Sequence, residues 1–162
     1  MIPSASQTVG PFFNFGLTAD RSLGTLAGEG ERIRLEFHVV DGNGTPTPGD
    51  SMIELWQADI SGFGRLETDA DGTCVFDTIK PVPFDGQAPY INVIVFARGI
   101  LRHLYTRVYF AGEQANAEDR ALALVPESRR ATLLAQPVAG QPNTWRFDVR
   151  LQGEAETVFF DF

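Results

Sequence analysis

Apolar and polar residues alternate in several well-separated runs, the period of strands that bury one face in a core. Ile33, Leu35, Phe37 and Val39 alternate with Arg34, Glu36, His38 and Val40, and Trp145, Phe147, Val149 and Leu151 alternate with Arg146, Asp148, Arg150 and Gln152. Between these outer runs, strands are predicted over 52–58, 73–79 and 101–110. The run 90–97 is apolar on both parities apart from Asn92, which predicts a central strand covered on both faces. Asp41-Gly42-Asn43-Gly44 supplies positive-φ residues for a turn, with Pro46 and Pro48 delaying the next strand. Asp69-Ala70-Asp71-Gly72 predicts a hairpin between 65–68 and 73–79, after a glycine-containing loop over 59–64. Pro81, Pro83 and Pro89 lack ladder donors, so 80–89 reads as an exposed or functional loop.

Only residues 113–135 carry a helical composition, with Pro126 placed as a first-turn proline ahead of 127–134; two short helices or one broken helix are expected there. Residues 1–31 have few alternating apolar positions, five glycines, Pro3 and Pro11, which predicts an extended arm with turns. Phe12, Phe13, Phe15 and Leu17 are too apolar to face solvent, so the arm is expected to pack on a partner chain. The expected fold is all-β: an antiparallel β-sandwich or flattened barrel over residues 32–162, with a short helical excursion near residues 113–135.

At 162 residues the chain has the length of one domain able to bury its own core. Its 16 glycines and 10 prolines argue against a long-helix fold and reinforce the β reading. A net charge of −8 disfavours a nucleic-acid backbone or an anionic membrane surface as partner. Cys74, the single cysteine, cannot form an intrachain disulfide, and the start MIPSASQTVGPFF has no basic segment followed by an apolar run, which together predict a cytoplasmic protein. No run approaches 18 apolar residues.

The chemistry-bearing residues are sparse. His38 and His103 have no second histidine or cysteine at ligand spacing, so neither starts a zinc site. Cys74 lies within a strand without an evident basic neighbour, the setting of a small hydrophobe instead of a nucleophile. Asp69 and Asp71 flank too short a loop for calcium, and no strand-glycine-helix phosphate loop is present. Two features point beyond structure. The arm 6–13 sets hydroxyl and backbone donors beside aromatic rings, suited to lining a pocket on another chain or to strand pairing within this one. Arg98, at a strand end before Gly99, is placed to meet a carboxylate bidentately, or is a plain surface arginine.

Several runs taken in order resemble the intradiol ring-cleaving dioxygenases. They are SQTVGPFFNFGL (6–17), Asp41-Gly42-Asn43-Gly44, Glu54-Leu55-Trp56-Gln57-Ala58-Asp59, Thr78-Ile79-Lys80-Pro81, Ala88-Pro89-Tyr90-Ile91-Asn92, Phe96-Ala97-Arg98-Gly99-Ile100 and RFDVRLQGEAETVFFDF (146–162). They span nearly the whole chain, and the final run is similar to the non-iron chain, α, of those members built from two homologous chains. The resemblance implies that Fe(III) is held by two tyrosines and two histidines of a homologous β chain. In this sequence Phe84 stands for one of those tyrosines, the 59–64 loop has none, and Tyr90 and Asn92 replace the histidines; Arg107 stands for a glutamine near the iron. A degenerate, metal-free pocket at Phe84, Tyr90, Asn92 and Arg107 is therefore expected. The resemblance further implies that Thr8, Gly10 and Pro11 line the partner's substrate pocket and that Arg98 lies near the substrate carboxylate. The implied reaction is cleavage of 3,4-dihydroxybenzoate by O₂ to 3-carboxy-cis,cis-muconate in a higher-order αβ oligomer. A free-standing module binding a small aromatic, or a purely structural assembly subunit, are the alternatives.

Overall fold

The computed structural model describes residues 5, 7, 8, 10–42, 44, 45 and 51–161, with backbone alone at 11–14. Pro3, Ser6, Asn43, Pro46 and Pro48, named above, lie outside the described residues. Eight strands follow in chain order: β1 (Arg32–Val40), β2 (Ser51–Gln57), β3 (Gly62–Glu67), β4 (Thr73–Ile79), β5 (Tyr90–Ala97), β6 (Leu104–Phe110), β7 (Leu134–Pro137) and β8 (Thr144–Arg150). Their hydrogen-bonded order is β3-β2-β5-β6-β7-β8-β1-β4, a single sheet that curls until its end strands β3 and β4 pack together. The short β7 pairs with both β6 and β8 and so joins the two halves of a nearly closed, flattened barrel. No described helix is long and apolar enough to cross a membrane.

The parity of β1 and β8 predicted the core correctly. Leu35, Phe37, Val39 and Val149 are fully buried, and Phe37 meets Phe76 and Phe147 edge-on with ring centroids 5.8 and 5.9 Å apart. Cys74 is buried beside this cluster; burial pushes its thiol far up, which suits the inert role expected of it.

Several expectations need correction. The strands are not all antiparallel: β1 pairs with β8, and β6 with β7, in parallel. Side-chain parity fixes which face is buried and carries no information on strand direction. The hairpin between 65–68 and 73–79 does not form, because β3 pairs with β2 and β4 with β1. The turn itself is present, with the Asp69 carboxylate accepting from the N–H groups of Asp71 and Thr73 at 2.9 Å each, but it carries the chain between opposite ends of the sheet. The 59–64 segment is only partly loop, since β3 begins at Gly62. A Cβ on Gly64 would lie 2.8 Å from Leu26 and 2.9 Å from the Leu23 carbonyl, so this glycine permits close packing inside a strand. β5 is central as predicted, yet its residues alternate buried and half-buried instead of being covered on both faces.

Residues 1–31 are not extended throughout. Pro11–Thr18 forms α1 with Pro11 at its first position, where a missing N–H costs nothing. A 3₁₀ turn over Arg21–Gly24 follows, capped by Asp20, and Leu26 enters the core with its N–H on the Asp77 carbonyl at 2.9 Å. Phe15 remains 65% exposed. The helical excursion consists of a 3₁₀ turn at Gln114–Glu118, α2 (Arg120–Leu124), α3 (Glu127–Arg130) and a further 3₁₀ turn at Ala131–Leu133. Pro126 is the N-cap of α3, one position ahead of its predicted place, and Leu134 already belongs to β7.

Candidate functional site

The predicted site residues fall into two clusters at opposite ends of β5. The first is built on the turn that follows this strand. The Ile100 N–H donates to the Ala97 carbonyl at 3.3 Å, closing a four-residue turn with Arg98 and Gly99 at its centre. Gly99 has φ +92° and Arg98 does not have positive φ, the combination of a type II turn. Arg98 is exposed. The arm reaches this turn through Thr8, whose hydroxyl accepts from the Gly99 N–H at 2.7 Å and donates to the Ala97 carbonyl at 3.4 Å. Gly10, in extended backbone, then caps α1 and Pro11 begins it. Thr8 and Arg98, ninety positions apart in sequence, thus share one structure.

The second cluster covers the outer surface where β5 begins. Asn92 lies opposite Arg107 of β6 and opposite Trp56 of β2, which is 46% exposed. The Arg107 guanidinium sits 4.1 Å from the centre of the Tyr90 ring, a cation–π stack. Its Nη1 donates to Gln87 Oε1 at 2.8 Å and to the Tyr109 hydroxyl at 3.3 Å. Tyr109 in turn donates to Asp119 Oδ1 at 3.0 Å. Asp119, 1% exposed, also accepts from the N–H groups of Ala88, Ala121 and Leu122, capping α2 while holding the 80–89 loop. Burial pushes the Tyr109 phenol up to about 12, with the neighbouring Arg107 pulling the other way. Phe84 is 47% exposed and pairs through its backbone with Gln87. Gln87, Arg107, Arg120 and Leu124 border a cavity of about 680 Å³.

Tyr90, Asn92 and Arg107 lie together, with Phe84 linked to them only through Gln87, whereas Thr8, Gly10, Pro11 and Arg98 belong elsewhere. Eight residues of strand at ~3.4 Å each put roughly 25 Å between Tyr90 and Arg98. Gln87, Tyr109 and Asp119 were missed. Tyr109 shares the outward face of Arg107 two positions on, and Asp119 before Arg120-Ala121-Leu122 is an N-cap signal; either could have shown the network.

These residues do not fit a ferric ion. Phe84 offers no donor atom, Asn92 is a poor ferric ligand, and the Tyr90 ring already carries a fixed cation at 4.1 Å. What the arrangement does is hold a guanidinium by stacking and hydrogen bonds where a metal site would need anionic donors.

The curled eight-stranded sheet is the fold of the intradiol ring-cleaving dioxygenases. The dioxygenase domain of a carbohydrate-binding fusion from Streptomyces sp. SirexAA-E superposes with a TM-score of 0.65 at 24% identity, covering 80% of this chain and 87% of that one. Catechol 1,2-dioxygenase from Acinetobacter sp. ADP1 gives 0.58 at 19%, covering 76% and 53%. No family model matches the sequence. The chain is 42% identical to the protocatechuate 3,4-dioxygenase alpha chain of Burkholderia cepacia, across 96% of its own length and 95% of the relative's. It is 28% identical to the beta chain of the same organism, across 79% and 67%. It belongs to the family of protocatechuate 3,4-dioxygenase α chains.

Proposed function

We propose that this chain is the non-iron α subunit of a protocatechuate 3,4-dioxygenase, completing the active site of a homologous β chain that holds Fe(III) and cleaves 3,4-dihydroxybenzoate with O₂ to 3-carboxy-cis,cis-muconate. The observation that carries this reading is the separation of the two clusters in a chain of the α family. Arg98 and Thr8 lie a whole strand away from this chain's own degenerate pocket, which supports their serving a site on another chain.

In this reading the arm of residues 1–31 covers the partner's pocket, with Gly10 and Pro11 at its wall and Thr8 behind them on the Arg98 turn, and buries Phe15 against the partner. Arg98 supplies a fixed positive charge and paired donors for the ring carboxylate, orienting the substrate without taking part in bond making. The pocket at Phe84, Tyr90, Asn92 and Arg107 holds no metal, and its network keeps the 80–89 loop in place. The lone, buried Cys74 suits a reducing cytoplasm.

The test is coexpression with an iron-bearing β chain, followed by kinetics on the pair. Turnover should require both chains, and Arg98→Ala should raise KM for 3,4-dihydroxybenzoate about tenfold, with a much smaller change for catechol, which lacks the carboxylate. Equal losses on the two substrates, or full activity of either chain alone, would sink the reading.

A further inference from the structure

A type II turn and a type I turn share the same end residues and differ by a flip of the central peptide plane. In the Ala97–Ile100 turn that plane lies between Arg98 and Gly99, and its orientation sets ψ of Arg98 and the side on which the Gly99 N–H emerges. Here the N–H meets the Thr8 hydroxyl at 2.7 Å, while the same hydroxyl donates to the Ala97 carbonyl at the turn's first position. A hydroxyl can accept and donate at once, so one side chain from the arm spans both sides of the arginine. Flipping the plane would take the N–H away from Thr8 and leave the type I form without this contact.

Resting on the α-subunit reading above, we propose that Thr8 is a positioning residue: its hydroxyl locks the Ala97–Ile100 turn in the type II state and so holds still the backbone that presents Arg98 to the substrate carboxylate. Thr8 then affects substrate recognition through Arg98 instead of by touching the ring. The arm becomes a coupling element, since its docking and the ordering of the turn that carries the arginine are one event. Specificity for a carboxylated catechol depends on a residue that the carboxylate does not meet.

Thr8→Val preserves shape and removes both hydrogen bonds; Thr8→Ser keeps the hydroxyl. The lock is read first on the full chain, by amide hydrogen exchange at Gly99, which should speed about fivefold in Thr8→Val and return toward the wild-type rate in Thr8→Ser. It is read again on the αβ complex. KM for 3,4-dihydroxybenzoate should rise about fivefold in Thr8→Val, with kcat and the KM for catechol nearly unchanged, and Thr8→Ser should restore it. Unchanged exchange at Gly99 would overturn the lock. Equal KM changes for the two substrates would overturn the route through Arg98 and make Thr8 a wall residue. If Arg98→Ala shows the carboxylate-selective loss and Thr8→Val does not, the inference fails while the α-subunit reading stands. If Arg98→Ala shows no selectivity, both fail, even where the exchange result is as expected.

Discussion

Arg107 holds its guanidinium 4.1 Å from the centre of the Tyr90 ring and ties it to Gln87 and Tyr109. The cation is thus part of the structure, supported from below by an aromatic face and from the side by two oxygens. Stacking contributes about 0.5–2 kcal/mol and a hydrogen bond from a charged donor about 1.5–3 kcal/mol, with solvent screening reducing both at this half-buried position. Arg107→Leu should lower unfolding stability by about 2 kcal/mol, seen as a lower urea midpoint with an unchanged slope. A loss under about 0.5 kcal/mol would mean that the guanidinium is an idle surface charge.

Tyr109 gives this region a signature at high pH. Its phenol is pushed up to about 12 in the folded chain, mainly by burial, against about 10 for a free tyrosine. The folded state therefore holds this proton more tightly than the unfolded state does. That contribution to stability is complete below about pH 10 and is lost as pH rises from about 10 to about 12. The Tyr109 phenolate absorbance should appear as a late phase near the upper end of that window. Tyr109→Phe should abolish the late phase; its persistence in that variant would assign it to another ring.

Asp119 joins three elements through one carboxylate, which accepts from Ala88, Ala121, Leu122 and Tyr109. Asp119→Ala would leave four donors unpaired in a site closed to water. The expected cost is about 3 kcal/mol, or roughly a 10 °C fall in Tm for a domain of this size. A fall of only one or two degrees by calorimetry would contradict the assignment of Asp119 as the anchor of the loop.

The strands were legible wherever one face had to be buried. Ile33 to Val39 and Trp145 to Leu151 announce their inward face by parity alone, and the structure pairs Leu35 with Trp145 and Phe37 with Phe147. What parity cannot carry is partnership. The Asp69–Gly72 turn has the residues of a hairpin, yet β3 and β4 turn to different neighbours because the curled sheet brings its own ends together there. β7 was missed because Leu134–Pro137 is too short for a period and ends in a proline. α1 was missed because Pro11 and Gly16 read as breakers, although a proline at the first helical position breaks no hydrogen bond. Tyr90, Asn92 and Arg107 came from motif order and meet on neighbouring strands, while Phe84 reaches them only through Gln87. The Thr8–Gly99 contact has no sequence signal, being a meeting of two loops across the fold.

In the proposed division of labour this chain supplies Arg98 and the arm, and its partner supplies the metal. Native mass spectrometry of the coexpressed αβ complex, with iron quantified in each chain after gentle dissociation, tests it most directly. One iron per αβ pair, all of it travelling with the β chain, is the predicted result. Iron retained by this chain, or two irons per pair, would contradict the claim.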